Sequence, residues 1–194
     1  MTHIYFVRHA QPDYRSGENR TFPLSAEGME DRHKALAVLK NVSFDRAVSS
    51  PYKRSMDTIM PLVEALGLEL TLDERLRERD NPGGSSNSHE MFRRRWADHD
   101  FHEENGESIR STQERNIAAL KDILTGYPGQ TILVGTHGTA LSTIINYYRP
   151  EFGFEQFLRI IDYMPYVLHC TFDGMQLTDM EELFYLRKEF HGVK

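Results

Sequence analysis

Two periods of apolar residues alternate along the chain. The run "HIYFV" (3–7) is short, aromatic and β-branched, as expected of a strand covered on both faces. "FDRAVSS" (44–50), "LELTL" (68–72), "TILVGT" (131–136) and "YVLHCTF" (166–172) carry the same signal. Between them the apolar positions fall at helical spacing. In "LSAEGMEDRHKALAVLK" (24–40), Ser25 is placed to cap a helix on which Met29, Leu36 and Leu39 can share a face. Ser50-Pro51 offers a cap with proline at the first helical position, Gly67 closes that helix, and Pro61 inside it is expected to kink or split it. "GESIRSTQERNIAALKDILTG" (106–126) places Ile109, Ile117, Leu120 and Leu124 on one stripe, with Ser108 or Asn105 capping. "HGTALSTIINYY" (137–148) begins a helix almost without a loop. "RLRERDNPGGSSNS" (75–88) reads as an exposed loop, and "HEMFRRRWADHDF" (89–101) as a short surface helix with Phe92 and Trp96 inward and Arg93 to Arg95 solvated. Beyond residue 149 the pattern places only the strand at 166–172.

Strands that alternate with helices imply an α/β fold: a three-layer α/β/α sandwich, its mostly parallel sheet covered by helices on both faces. Residues 1–194 read as one domain with a small lid-like excursion at about 80–105. In such sheets ligands gather beyond the carboxyl ends of the strands. Basic side chains stand at three of those ends: Arg8 with His9, Lys53 with Arg54, and His137. Side chains alternate across a strand, so Arg8 and His9 can serve one ligand only if the strand breaks into its loop at that dipeptide. Helices starting near 51 and 138 would add N–H groups favourable to a bound phosphate.

Composition narrows the partners. With 39% hydrophobic and 27% charged residues, the chain has the make-up of an ordinary globular protein. A formal net charge of -6 argues against a phosphate-coating nucleic-acid binder, so any anion site must be a local basic cluster. No apolar run approaches the roughly 20 residues that span a bilayer, and no basic leader or cleavage site opens the chain, which makes a cytoplasmic location the expectation. The single cysteine, Cys170, allows no internal disulfide and no cysteine-based zinc site, and its neighbours suggest a buried hydrophobe. His99 and His102 lack a compact set of carboxylate partners, so no metal and no other cofactor is expected. Oligomeric state leaves no mark on the sequence.

Burying cations without partners is costly, and a dianionic phosphate would relieve that cost. Arginine binds phosphate oxygens through a planar fork, and neutral imidazole can attack phosphorus. Six ordered segments then resemble the histidine phosphatase superfamily, which includes cofactor-dependent phosphoglycerate mutases and many small phosphatases. "VRHAQ" is similar to its Arg-His-Gly signature, "LSAEG" to the start of its first helix, and "VSSPYKRSMDT" to its Ser-Pro-x-x-Arg segment. "RLRERD" resembles its acid loop, "GES" with Arg115 the helix beyond it, and "VGTHGT" its second histidine motif. The resemblance implies that His9 becomes phosphorylated while Arg8, Arg54 and His137 hold the transferring oxygens. It further implies that Glu78 protonates the leaving oxygen and later deprotonates the hydrolytic water, with no metal. Arg77 and Arg79, which flank Glu78, are expected to face solvent. Gln11, Thr21 and Gly138 are candidate substrate contacts.

Departures from the family pattern favour hydrolysis. Ala10 replaces the usual glycine, and Pro12 and Arg15 stand where mutases place a hydroxyl and an asparagine. The chain is also short where the mutases carry a substrate lid. The expected activity is therefore metal-independent hydrolysis of phosphate monoesters of small metabolites through phosphohistidine. The alternatives are mutase-type phosphoryl transfer and a non-catalytic phosphate-binding adaptor. A cysteine phosphatase is excluded because Gln176 stands where Cys170 would need its arginine, and no Walker-type loop is present.

Overall fold

The computed structural model describes residues 1–81 and 87–188. Six strands form one sheet: β1 (Thr2–Arg8), β2 (Arg46–Ser49), β3 (Leu70–Leu72), β4 (Thr131–Thr136), β5 (Tyr163–Asp173) and β6 (Gln176–Arg187). Their order is β3-β2-β4-β1-β5-β6, with β1 to β4 parallel, β5 antiparallel to β1 and β6 antiparallel to β5. The helices are α1 (Ala26–Ala37), α2 (Lys53–Leu66), α3 (His89–Ala97), α4 (Ile109–Gly126), α5 (Gly138–Tyr148) and α6 (Phe154–Ile161).

Strand alternation builds the three layers. Val7 on β1 and Leu133 on β4 point to one face, where Ala35 and Leu36 of α1 and Ile59, Leu62 and Val63 of α2 cover them. Ile4, Phe6, Ile132 and Val134 point to the other, against Leu120 of α4 and Leu141 and Ile144 of α5. Cys170 is buried there, and burial pushes its thiol up to about 12.

Several sequence expectations need correcting. Ser25 caps α1, but its buried stripe is Gly28, Asp31, Ala35 and Leu36, which leaves Met29 39% exposed. Gly28 fixes that rotation: the loop backbone at Gln11 lies so close that a Cβ on residue 28 would meet Gln11 O at 2.1 Å. α2 starts at Lys53 rather than Pro51; Tyr52 stands at the N-cap position without a side-chain cap, and Ser50 Oγ accepts from Tyr52 N at 3.2 Å. Pro61 does not split α2. The Asp57 carbonyl, four residues back and deprived of its helical N–H, accepts from Arg32 Nη1 at 2.7 Å. Of the surface arginines on α3, Arg95 is buried and pairs with Glu103, as does Arg79, which was expected in solvent. Arg77 is partly exposed and pairs with Glu107. Phe92 and Trp96 face inward against Phe157 of α6. Within the loop read at 75–88, residues 82–86 lie outside the described residues.

Candidate active site

Register brings the two motif histidines together. Arg8 on β1 pairs with Thr136 on β4, so the next residue of each strand leaves the sheet at the same point. His9 N donates to Thr136 O at 3.2 Å, and the His9 and His137 ring centroids are 5.2 Å apart. β2 ends beside β4, and α2 then starts under His9 and carries Arg54. All four side chains are buried: Arg8, His9, Arg54 and His137 are each at most 3% exposed.

Arg8 follows the phase of Ile4 and Phe6. It donates from Nη1 to the carbonyls of Ile160 and Tyr163, the latter at 2.9 Å. Its guanidinium lies against Gly138, where a Cβ would meet Cζ at 3.0 Å and push the group aside by a few tenths of an ångström. His9 takes the other phase, toward α2. Its Nδ1 is 2.8 Å from Ala10 O, which it can only meet as a donor, so Nε2 carries the lone pair. That nitrogen accepts from Arg54 Nε at 3.3 Å. Arg54 is held in turn by Asn19, through its backbone O and by Oδ1 at 3.2 Å, and lies 5.0 Å over the Tyr52 ring. His137 Nε2 is 2.7 Å from Ser50 Oγ. Three buried polar atoms here, Arg8 Nε, His137 Nδ1 and Thr136 Oγ1, have no hydrogen-bond partner among the described residues.

Glu78 reaches the same region from the loop after a one-turn 3₁₀ helix (Glu74–Leu76). Its Oε2 accepts from Thr139 N at 3.0 Å, and its Oε1 from Ala140 N at 3.0 Å and Arg79 N at 2.8 Å. The expectation that helix starts would offer N–H groups to phosphate is therefore narrowed at both helices. Two of the first N–H groups of α5 hold Glu78, and Lys53 N at the start of α2 donates to Arg20 O at 2.9 Å.

Of the other candidates, Gly138 touches the cluster through Arg8. Gln11 turns toward α1, its Oε1 3.4 Å from Ser25 Oγ. Thr21 is exposed and closes a turn with Glu18. Lys53 points outward to Asp57 at 2.8 Å, so only Arg54 of that pair enters the site. Sequence reasoning missed Asn19, Tyr52, Thr58 and Tyr14. Thr58 Oγ1 accepts from Ala10 N at 3.0 Å, and Tyr14 packs edge-on against Phe22. Thr58 follows Arg54 by four residues and so had a helical-spacing signal, whereas Asn19 and Tyr14 lie in a loop with no periodicity to read.

Burial first, and the adjacent Arg54 second, hold both His9 and His137 well below the usual imidazole range. Burial likewise lowers Arg8 and Arg54. Unfolded imidazoles bind protons as pH falls through about 6.5, whereas these two stay neutral in the folded chain. The unfolded state then binds more protons, so folding stability must fall with pH by roughly 1 kcal/mol per histidine per unit. We expect the melting temperature to drop between about pH 7 and pH 5, more steeply than in a His9→Asn/His137→Asn variant, and saturating phosphate to restore part of the loss. Equal slopes for the two proteins, measured by calorimetry, would contradict this.

The family model described as histidine phosphatase superfamily (branch 1) matches residues 4–174. An uncharacterised phosphatase, PhoE, of Bacillus subtilis strain 168 is 26% identical over 149 residues, covering 75% of this chain and 76% of that one. A probable phosphoglycerate mutase, GpmB, of Enterobacter sp. strain 638 is 26% identical over 160 residues, covering 75% and 74%. The structure of a phosphoserine phosphatase from Entamoeba histolytica in complex with 3-phosphoglyceric acid shares the fold with a TM-score of 0.73 at 20% identity, covering 93% of this chain and 97% of that one.

Proposed function

Because the chain belongs to the histidine phosphatase superfamily, we propose that it is a metal-independent phosphomonoesterase acting through phosphohistidine on His9. The observation that carries this reading is the lone pair of His9 Nε2, fixed by Ala10 O and set among three buried cationic or polar clamps. In the first step Nε2 forms a bond to phosphorus as the ester oxygen departs and takes the proton of Glu78. Arg8, Arg54 and His137 stabilise the equatorial oxygens. In the second step Glu78 removes a proton from water, the water oxygen bonds to phosphorus, and His9 leaves with its electron pair.

Charge supports the same reading. Two buried guanidinium groups beside two imidazoles kept neutral leave positive charge that a dianion would balance. Hydrolysis is favoured over mutase transfer because Arg15 is 90% exposed and paired with Asp13, and Pro12 bridges to Leu24. Neither position then holds a sugar acid against the phosphoenzyme.

Purified protein in excess EDTA should release phosphate from p-nitrophenyl phosphate and from alkyl esters. Absolute dependence on an added divalent ion would sink the chemistry, and phosphoglycerate interconversion faster than phosphate release would establish the mutase instead. Phosphate binding without turnover would leave an adaptor. Glu78→Gln should slow alkyl esters at least about 100-fold in kcat/KM, while p-nitrophenyl phosphate, whose leaving group needs no proton, changes far less. Equal losses on both would remove the acid role.

A further inference from the structure

Glu78 lies in the middle of a segment gripped from α4. Arg115 uses all five guanidinium donors. Nε donates to Glu107 Oε1 at 2.8 Å, and Nη2 to Glu107 Oε2 at 2.8 Å and to Glu78 O at 3.1 Å. Nη1 donates to the carbonyls of Arg75 and Arg77, both at 2.7 Å. Glu107 is as fully engaged: besides Arg115, Oε1 accepts from Arg77 Nη2 and Oε2 from Asp80 N, both at 2.8 Å. The pair is mostly buried, with side chains 12% and 17% exposed. Burial, the largest single influence, would raise the Glu107 carboxyl, but Arg115, the Asp80 N–H and Arg77 together outweigh it and hold the group below the usual carboxylate range.

The anchored carbonyls at 75, 77 and 78 and the anchored N–H at 80 bracket Glu78 on both sides. With that backbone fixed, only the side-chain torsions of Glu78 are left to set, and the first N–H groups of α5 set those. A loop could be fastened with far fewer bonds. Three donors of Arg115 and two acceptor sites of Glu107 reach the six residues 75–80 and define a position, and a misplacement of about 1 Å can cost a catalytic group about 100-fold.

We propose that the Arg115–Glu107 pair is a positioning device for the acid, fixing where the Glu78 proton is delivered. The inference rests on the reading of Glu78 as proton donor. It implies that Arg115 governs esters whose leaving group needs a proton and leaves phosphate binding alone, since Arg8, His9, Arg54 and His137 are anchored independently of it.

The test compares full-length wild type, Arg115→Met, Glu78→Gln and the double variant. For Arg115→Met we expect kcat/KM on O-phosphoserine to fall about 100-fold, on p-nitrophenyl phosphate less than about 5-fold, and inhibition by inorganic phosphate to stay within about 2-fold. The double variant should match Glu78→Gln, since both act through one proton. Arg115→Lys, with three donors in place of five, should show the same split and serves if the methionine variant does not fold. Equal losses on the two esters, phosphate inhibition weakened in step, or losses that add to those of Glu78→Gln overturn the inference. If Glu78→Gln itself shows no split, the acid role falls and this inference with it. If Glu78→Gln shows the split and neither Arg115 variant does, only this inference falls.

Discussion

Replacing His9 with alanine is expected to reduce phosphate release by about 10⁴-fold or more and to abolish phosphorylation of the protein. A nucleophile is not one stabilising contact among several, because without it the two-step route does not exist. Any residual rate would come from water attacking an ester held by the remaining clamp. Phosphate should still bind, because the Arg8 and Arg54 contacts to Ile160, Tyr163 and Asn19 do not pass through His9. Loss of activity with phosphate binding retained therefore separates nucleophile from scaffold. The direct measurement is mass spectrometry of protein quenched in acid-free buffer during turnover. An added phosphoryl mass on a peptide lacking His9, or near-normal turnover by the alanine variant, would contradict the assignment.

Replacing Arg54 with alanine is expected to lower kcat/KM by roughly 3 kcal/mol, or about 100- to 1000-fold, the order found when one aimed donor is removed from a developing charge. A second signature accompanies it. Burial is the main reason His9 stays neutral, but the Arg54 charge adds to the effect, so its removal should make His9 easier to protonate. The acid limb of the kcat/KM profile should then move to higher pH, because protonated His9 has no electron pair for phosphorus. The neighbouring Lys53→Ala is the internal control. Lys53 is exposed and paired with Asp57, and its loss should change little, within the usual range of about 0.5 kcal/mol for surface substitutions. Comparable damage from both variants would mean that general surface charge, not the buried fork, assists the reaction.

Much of this was legible because α/β topology turns sequence order into spatial order. The runs at 3–7, 44–50 and 131–136 are continuous and apolar because their strands are covered on both faces, and such runs read clearly. Their ends then locate Arg8, His9 and His137. What stayed hidden had weaker local pattern. β6 is an edge strand whose residues, such as Thr178, Asp179, Glu181 and Glu182, are largely exposed, so its alternation is blurred by charge. Arg79 and Arg95 sit in charge-rich stretches typical of solvated surface, yet both are buried and share Glu103, 24 and 8 residues away. The start of α2 lies at Lys53 rather than Pro51, and Ser50 Oγ, besides accepting from Tyr52 N, bonds to His137, a tertiary contact that no cap rule contains.

Arg8 also links the two ends of the chain. It stands on the first strand, but its anchors are the carbonyls of Ile160 and Tyr163, and β1 itself is flanked by β4 and β5. A polypeptide emerging from the ribosome would thus have made every reactive group by His137 and still lack the fastening for one of them. Competence must arrive late in synthesis, when the final third docks, and a prematurely terminated product would be inert despite an intact motif set.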